Sequence, residues 1–137
     1  MNEIIIEKKA RMERYIKQIK TFYSEPSRLT FEEDFLKQDA IAINLQRVCE
    51  LAIDIANVAI KEKKLGLPSS SRESFILLFE AGLIDKKSAD KLCKMVGFRN
   101  VLVHAYQDLD LKLMKKLIEE NLLEDLVVFS AEIMRQV

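Results

Sequence analysis

One histidine, no tryptophan, two cysteines, two prolines and three glycines occur in 137 residues, and 22 Lys and Arg offset 22 Asp and Glu. Each scarcity excludes something. So few turn-forming glycines and prolines argue against an all-β chain, which needs them at every hairpin. Zero net charge removes the broad basic field of a general nucleic-acid binder, so any polyanion would have to be held by a local patch. A single histidine rules out a two-histidine acid–base pair within one subunit. Cys49 and Cys93 lie far apart inside apolar helical patterns, which reads as two buried, reduced thiols rather than a zinc site. The apolar run Ile4 to Ile6 is too short for a secretory signal, and no window approaches the ~18 apolar residues of a membrane span. These features predict a cytoplasmic protein with no membrane association.

Against these shortages stand 49% apolar and 32% charged residues, enough to build a core and solvate its surface. Ile5, Met12, Ile16, Ile19 and Tyr23 recur at helical spacing, predicting an amphipathic helix over about residues 3–23 that Ser24-Glu25-Pro26-Ser27 interrupts. Thr30 and Glu33 have the spacing of a capping box, opening a long helix to about Leu65, with a candidate kink at Gln38-Asp39 and Gly66 and Pro68 beyond its end. Ser70 and Glu73 repeat the capping pattern before a short helix ending at Gly82. Asp85 is the N-cap expected for a helix running toward Tyr106. Asp108 and Asp110 mark a turn, and residues 111–135 read as helical with a jog at Asn121. The sequence predicts one all-α domain over residues 1–137, an up-and-down bundle of five or six helices.

Two features ask for more than packing. On the long helix Arg47, Glu50, Asp54, Asn57 and Lys61 form a polar line within an otherwise largely apolar circumference. It reads either as a solvated stripe with Arg47–Glu50 and Asp54–Lys61 surface pairs, or as the lining of a cleft or subunit interface. The second feature is Gly97-Phe98-Arg99-Asn100-Val101-Leu102-Val103-His104-Ala105-Tyr106, which gathers an arginine, an asparagine, the lone histidine and a tyrosine. On a helix Asn100 and His104 share nearly one side, whereas Arg99 and His104 lie about 140° apart. A regular helix therefore cannot aim all four at one point. Either it ends near His104, or another element or subunit completes the site.

Arg99, His104 and Tyr106 form the pattern R-x-x-x-x-H-x-Y. With Asn44-Leu45-Gln46-Arg47, Glu50 and Ile53-Asp54-Ile55-Ala56-Asn57 upstream, and Met95-Val96-Gly97-Phe98 leading into Arg99, it resembles the HepT-like family of HEPN domains. The resemblance runs from about residue 38 to the end. Ala105 departs from it, standing where a polar or charged residue is common in the family.

The resemblance implies a HEPN-like bundle that dimerises, and a metal-independent endoribonuclease toxin whose two motifs face one cleft. It implies no cofactor or metal, and RNA rather than DNA as substrate, because the ribose 2′-OH serves as internal nucleophile. In that setting His104 is the residue to move the proton at neutral pH, and Arg99 to hold the phosphate and its developing charge. The products expected are a 2′,3′-cyclic phosphate and a 5′-hydroxyl. Asn100, Arg47, Glu50 and Asp54 are then supporting residues that position the scissile group, Arg99 or His104. Lys86, Lys87, Lys91, Lys94, Lys112, Lys115 and Lys116 supply local cations to guide RNA, or a merely solvated face. The resemblance further implies a partner, a minimal nucleotidyltransferase (MNT) antitoxin that attaches AMP to Tyr106 and so places negative charge where RNA phosphates bind. The alternative implied by other HEPN-like domains is a non-catalytic module binding a nucleotide or a nucleotidyltransferase.

Overall fold

The computed structural model describes residues 2–104 and 110–137, at positions 103 and 104 for the backbone alone. Among the described residues there are six helices and no strand: α1 (Glu3–Ser24), α2 (Phe35–Glu62), α3 (Ser71–Glu80), α4 (Lys86–His104), α5 (Leu111–Glu119) and α6 (Leu122–Gln136). The all-α expectation holds.

Side chains near the chain's turns fix the boundaries. Asn2 opens α1 by accepting from the backbone N–H groups of Ile4 and Ile5. Ser70 accepts from Glu73, Asp85 from Ser88 and Asp110 from Leu113 in the same way, each satisfying an N–H that has no partner inside the helix. The Thr30 expectation needs correction. Glu33 does reach back to the Thr30 N–H at 3.1 Å, but α2 begins one turn later, with Asp34 capping the N–H of Lys37 at 3.0 Å. Residues 30–33 form a separate turn beneath the helix. Gln38, buried, donates to the carbonyls of Phe31 and Glu32 and ties that turn down. The helix passes through Gln38-Asp39 without interruption.

The end of α2 is also set differently from its sequence signal. Lys64, not Gly66, occupies the left-handed position just past the helix, at φ 53°. Its N–H donates to Lys61 and that of Leu65 to Ile60, closing the last turn as glycine more often does. Gly82 plays that part after α3, at φ 77°, and Asn121, left-handed at φ 63°, separates α5 from α6.

The long helix α2 is the hub, packing against α1, α3, α4 and α6. Its buried residues, among them Ile41, Leu45, Val48, Ala52, Ile55 and Ala59, cover most of its circumference, as the continuous apolar pattern required. The α1–α2 pair is antiparallel: Lys8 reaches Asp54 and Tyr15 lies under Arg47. Phe75 of α3 meets Phe129 of α6 edge to face at 5.7 Å. Truncating a fully buried ring such as Phe75 to alanine costs about 3–5 kcal/mol. Cys49 is buried as expected, whereas Cys93 is only half-buried. No helix among the described residues is long and apolar enough to cross a membrane.

Candidate active site

The polar line of α2 and the motif of α4 meet at Arg99. Its Nη1 donates to Glu50 Oε1 at 3.0 Å, and its Nη2 donates to Asn100 Oδ1 at 3.0 Å. The pair is half-buried, with 23% of the Arg99 side chain and 43% of the Glu50 side chain exposed. Arg99 Nε is buried and has no acceptor among the described residues. A planar guanidinium held by two partners on fixed helices keeps its orientation, and its remaining N–H groups suit it to an anionic oxygen. Beneath it Cys49 is an inert thiol: burial, reinforced by the Glu50 charge and only partly opposed by Arg99, pushes it up to about 12.

The backbone of α4 is helical through His104. Five residues of regular helix carry His104 about 7.5 Å along the axis from Arg99 and about 140° around it. Arg99 faces α2, and Asn100 is exposed, so the helix presents Asn100 and the His104 position on a different side from Arg99. The histidine side chain, Ala105, Tyr106 and Asp108 lie outside the described residues.

Neither surface pair anticipated along α2 forms. Glu50 bonds Arg99 rather than Arg47, and Asp54 pairs with Lys8 of α1 at 3.6 Å rather than with Lys61. The reason is tertiary: α1 and α4 bring cations against carboxylates that the isolated helix would have left to its own neighbours. Arg47 lies 5.2 Å from the centre of the Tyr15 ring, and Asn57 accepts from the buried Ser74 hydroxyl at 2.6 Å. Arg47, Glu50 and Asp54 thus line one groove of about 230 Å³ between α1 and α2, together with Arg11, Tyr15 and Gln46. The structure brings Arg99, Asn100 and Glu50 into direct contact; Arg47 and Asp54 stand beside them, not on them.

Of the candidate lysines, Lys91, Lys94 and Lys116 line a second cavity of about 260 Å³ with Phe98, Glu120 and Asp125. Lys91 is already paired with Asp125 at 3.2 Å, so this cavity is mixed in charge. Lys115 is engaged by Glu32. Sequence reasoning passed over Tyr15 and Arg72. An Arg14-Tyr15 pair on the charged side of α1 was the signal for the first. For Arg72 the signal was Gly97, a glycine inside a helix: a Cβ there would stand 3.1 Å from Arg72 Nη2, so the bare backbone lets that guanidinium rest on α4. Among the described residues no three His, Cys, Asp or Glu side chains converge to hold a metal ion.

Comparison with known proteins finds relatives over most of the chain. Residues 12–133 match the family model described as ribonuclease HepT-like. The chain is 46% identical over 122 residues to the mRNA nuclease HepT of Shewanella oneidensis, covering 89% of this chain and 90% of that protein. It is 44% identical to a solved tri-AMPylated Shewanella oneidensis HEPN toxin in complex with an MNT antitoxin, at TM-score 0.88 and covering 98% and 99% of the two chains. A crystal structure of a toxin–antitoxin with AMP-PNP is similar to the same degree, at 43% identity and TM-score 0.88, covering 98% and 99% of the two chains.

Proposed function

We propose, from the premise that this chain belongs to the ribonuclease HepT-like family, that it is the toxin of a toxin–antitoxin pair and a metal-independent endoribonuclease. The observation that carries the reading is the seat of Arg99: a guanidinium fixed by Glu50 of α2 and by Asn100, on the helix that also bears the chain's one histidine. Arg99 holds the scissile phosphate and stabilises the charge that grows on its oxygens as the bond to the leaving oxygen lengthens. His104 takes the proton from the ribose 2′-OH, whose oxygen attacks the neighbouring phosphorus. The 5′-oxygen leaves with a proton donated by the partner subunit's His104 in its imidazolium form, and the strand ends in a 2′,3′-cyclic phosphate. Glu50 and Asn100 position Arg99, while Arg47 and Asp54 shape the approach.

The divergence of Arg99 and His104 around α4 supports a homodimer, in which motifs from two subunits share a cleft. A dimer also supplies the second imidazole that one chain lacks. Tyr106 is the AMP acceptor, and the likeness to an AMPylated HEPN toxin bound to an MNT antitoxin supports an MNT-type partner for this chain. AMP on the phenol adds negative charge within the motif whose Arg99 holds phosphate, so RNA is repelled and blocked.

The test is incubation of the purified chain with single-stranded RNA in EDTA, alongside His104→Ala, with analysis of the product ends. Cleavage by the parent alone, leaving cyclic phosphates, is expected. Equal cleavage by both proteins would remove His104 from the mechanism, and RNA or nucleotide binding without turnover would favour the non-catalytic module.

A further inference from the structure

The groove between α1 and α2 has a charge pattern that the fold does not neutralise. Each acidic group lining it is already engaged: Glu50 by Arg99 and Asp54 by Lys8. Arg11 is held by Glu7. Arg47, which lines the groove, and Arg14, the residue before Tyr15 on α1, are different. Each guanidinium lies 5.2 Å from the centre of the Tyr15 ring, and Arg14 also donates to the phenol oxygen at 3.4 Å. Neither has a carboxylate partner among the described residues. One aromatic ring therefore gathers two cations whose charge is unspent. Attraction to the ring's π-face limits their motion, and beyond the one N–H that Arg14 gives the phenol it leaves their hydrogen-bond donors uncommitted.

Position turns this pair into a site. Arg47 is three residues from Glu50 on α2, less than one turn, and their side chains are neighbours about 5–6 Å apart at Cβ. Glu50 in turn holds Arg99 at 3.0 Å. The Tyr15 platform and the Arg99 seat are thus neighbours of one carboxylate, Glu50.

We propose that Arg14 and Arg47, anchored on Tyr15, bind a backbone phosphate of single-stranded RNA flanking the one held at Arg99. This rests on the ribonuclease reading above and adds a second phosphate position to it. Being blind to base identity, this contact strengthens binding and aligns the strand without selecting sequence. It also gives a chain of zero net charge a local cationic contact for a polyanion.

The experiment measures binding of a fluorescein-labelled, mixed-sequence 12-nucleotide RNA by anisotropy, in EDTA, between 50 and 200 mM salt. All proteins carry His104→Ala so that the RNA stays whole. Arg14→Ser with Arg47→Ser raises Kd and flattens the slope of log K against log salt by about 0.7, the value for one phosphate contact on a single strand. The loss is therefore about 2.6-fold greater at 50 mM than at 200 mM. Tyr15→Leu, which keeps apolar bulk but removes the ring, moves both readings the same way. Lys63→Ser, about 24 Å from Arg47 along α2, is the control for net charge and leaves the slope unaltered.

Circular dichroism and sedimentation of each variant accompany the titrations. No RNA binding by the parent at any salt overturns the ribonuclease reading, and this inference with it. A parent that binds while the double variant keeps the same slope overturns the inference alone. A double variant that sediments as a monomer where the parent is a dimer overturns it too, identifying the groove as a subunit interface.

Discussion

Replacing Glu50 by Gln separates positioning from packing at the proposed site. The change keeps the shape of the side chain and one acceptor, and removes its charge from a contact of 3.0 Å to Arg99. Two unit charges at that distance attract by about 1.4 kcal/mol in bulk water and about 5.5 kcal/mol at an effective dielectric of 20. Glu50 is 43% exposed, so screening, desolvation of Arg99 and the ordering of a long side chain offset most of this. The net stabilisation is about 1–2 kcal/mol. Glu50→Gln should therefore lower the melting temperature by about 3–6 °C in a domain of this size. The effect on chemistry is larger in proportion. A guanidinium freed to sample several rotamers is seldom aligned with the phosphate, and kcat should fall about tenfold to a hundredfold while KM changes little. Glu50→Ala also removes the acceptor from Nη1 and leaves two donors of Arg99 unmatched, costing about 1–3 kcal/mol more. The assays are thermal denaturation by circular dichroism and steady-state cleavage of a fluorogenic RNA. An unchanged or faster kcat in Glu50→Gln would refute the positioning role, because it would mean that Arg99 works as well or better without its carboxylate.

Further outcomes follow from the backbone and the surface. Lys64→Gly relieves a left-handed residue at φ 53° and should raise stability by about 0.5–1 kcal/mol, seen as a higher urea midpoint with an unchanged m-value; a lower midpoint would contradict this. Gly97→Ala gains up to about 1 kcal/mol of helix propensity, and the atom it meets at 3.1 Å is the mobile end of Arg72. Equilibrium denaturation should therefore show no loss, and a loss above about 1 kcal/mol would mean that Arg72 cannot yield. Glu32, paired with Lys115, and Glu124, paired with Lys20, are held below the ordinary carboxyl range by those hydrogen bonds, and Asp85 is lowered by the Ser88 N–H. Groups whose pKa is depressed by folding stabilise the protein above their unfolded values near 4 and lose that contribution as the pH falls through the folded ones. The melting temperature should decline from about pH 5 toward pH 3, and a flat profile would show that these contacts contribute nothing.

Helix number, and the caps at Ser70 and Asp85, were legible because a polar side chain three residues before its N–H partner is a local geometry that sequence spacing encodes directly; Asp110, read only as part of a turn, proves to cap α5. The Thr30 turn and the end of α2 were not. Their outcome depends on Gln38 fastening the turn from below, and on Lys64 accepting a conformation that its composition does not advertise. The same division runs through the candidate site. Arg99, Asn100 and Glu50 were named from the motif and the resemblance, and fold into contact. Their pairing could not be read along either helix, since it spans α2 and α4. The anticipated Arg47–Glu50 and Asp54–Lys61 pairs used the only partners a single helix offers, and were displaced by Arg99 and Lys8 from elsewhere in the bundle. Tyr15 was passed over for a related reason: beside the local Arg14-Tyr15 pair, its significance is the arginine laid across it by the neighbouring helix.

The burial of Cys49 has a practical corollary. Its sulfur lies under the Glu50–Arg99 contact and, with its pKa pushed up to about 12, is almost wholly protonated at neutral pH, whereas Cys93 is partly exposed. A thiol reagent in solution meets Cys93 first and can reach Cys49 only when α2 and α4 part. The chain thus carries its own clock for that opening. The slow phase of labelling by an aromatic disulfide counts how often the floor beneath Arg99 comes apart, and adding RNA or AMP to the protein would show directly whether either one slows it.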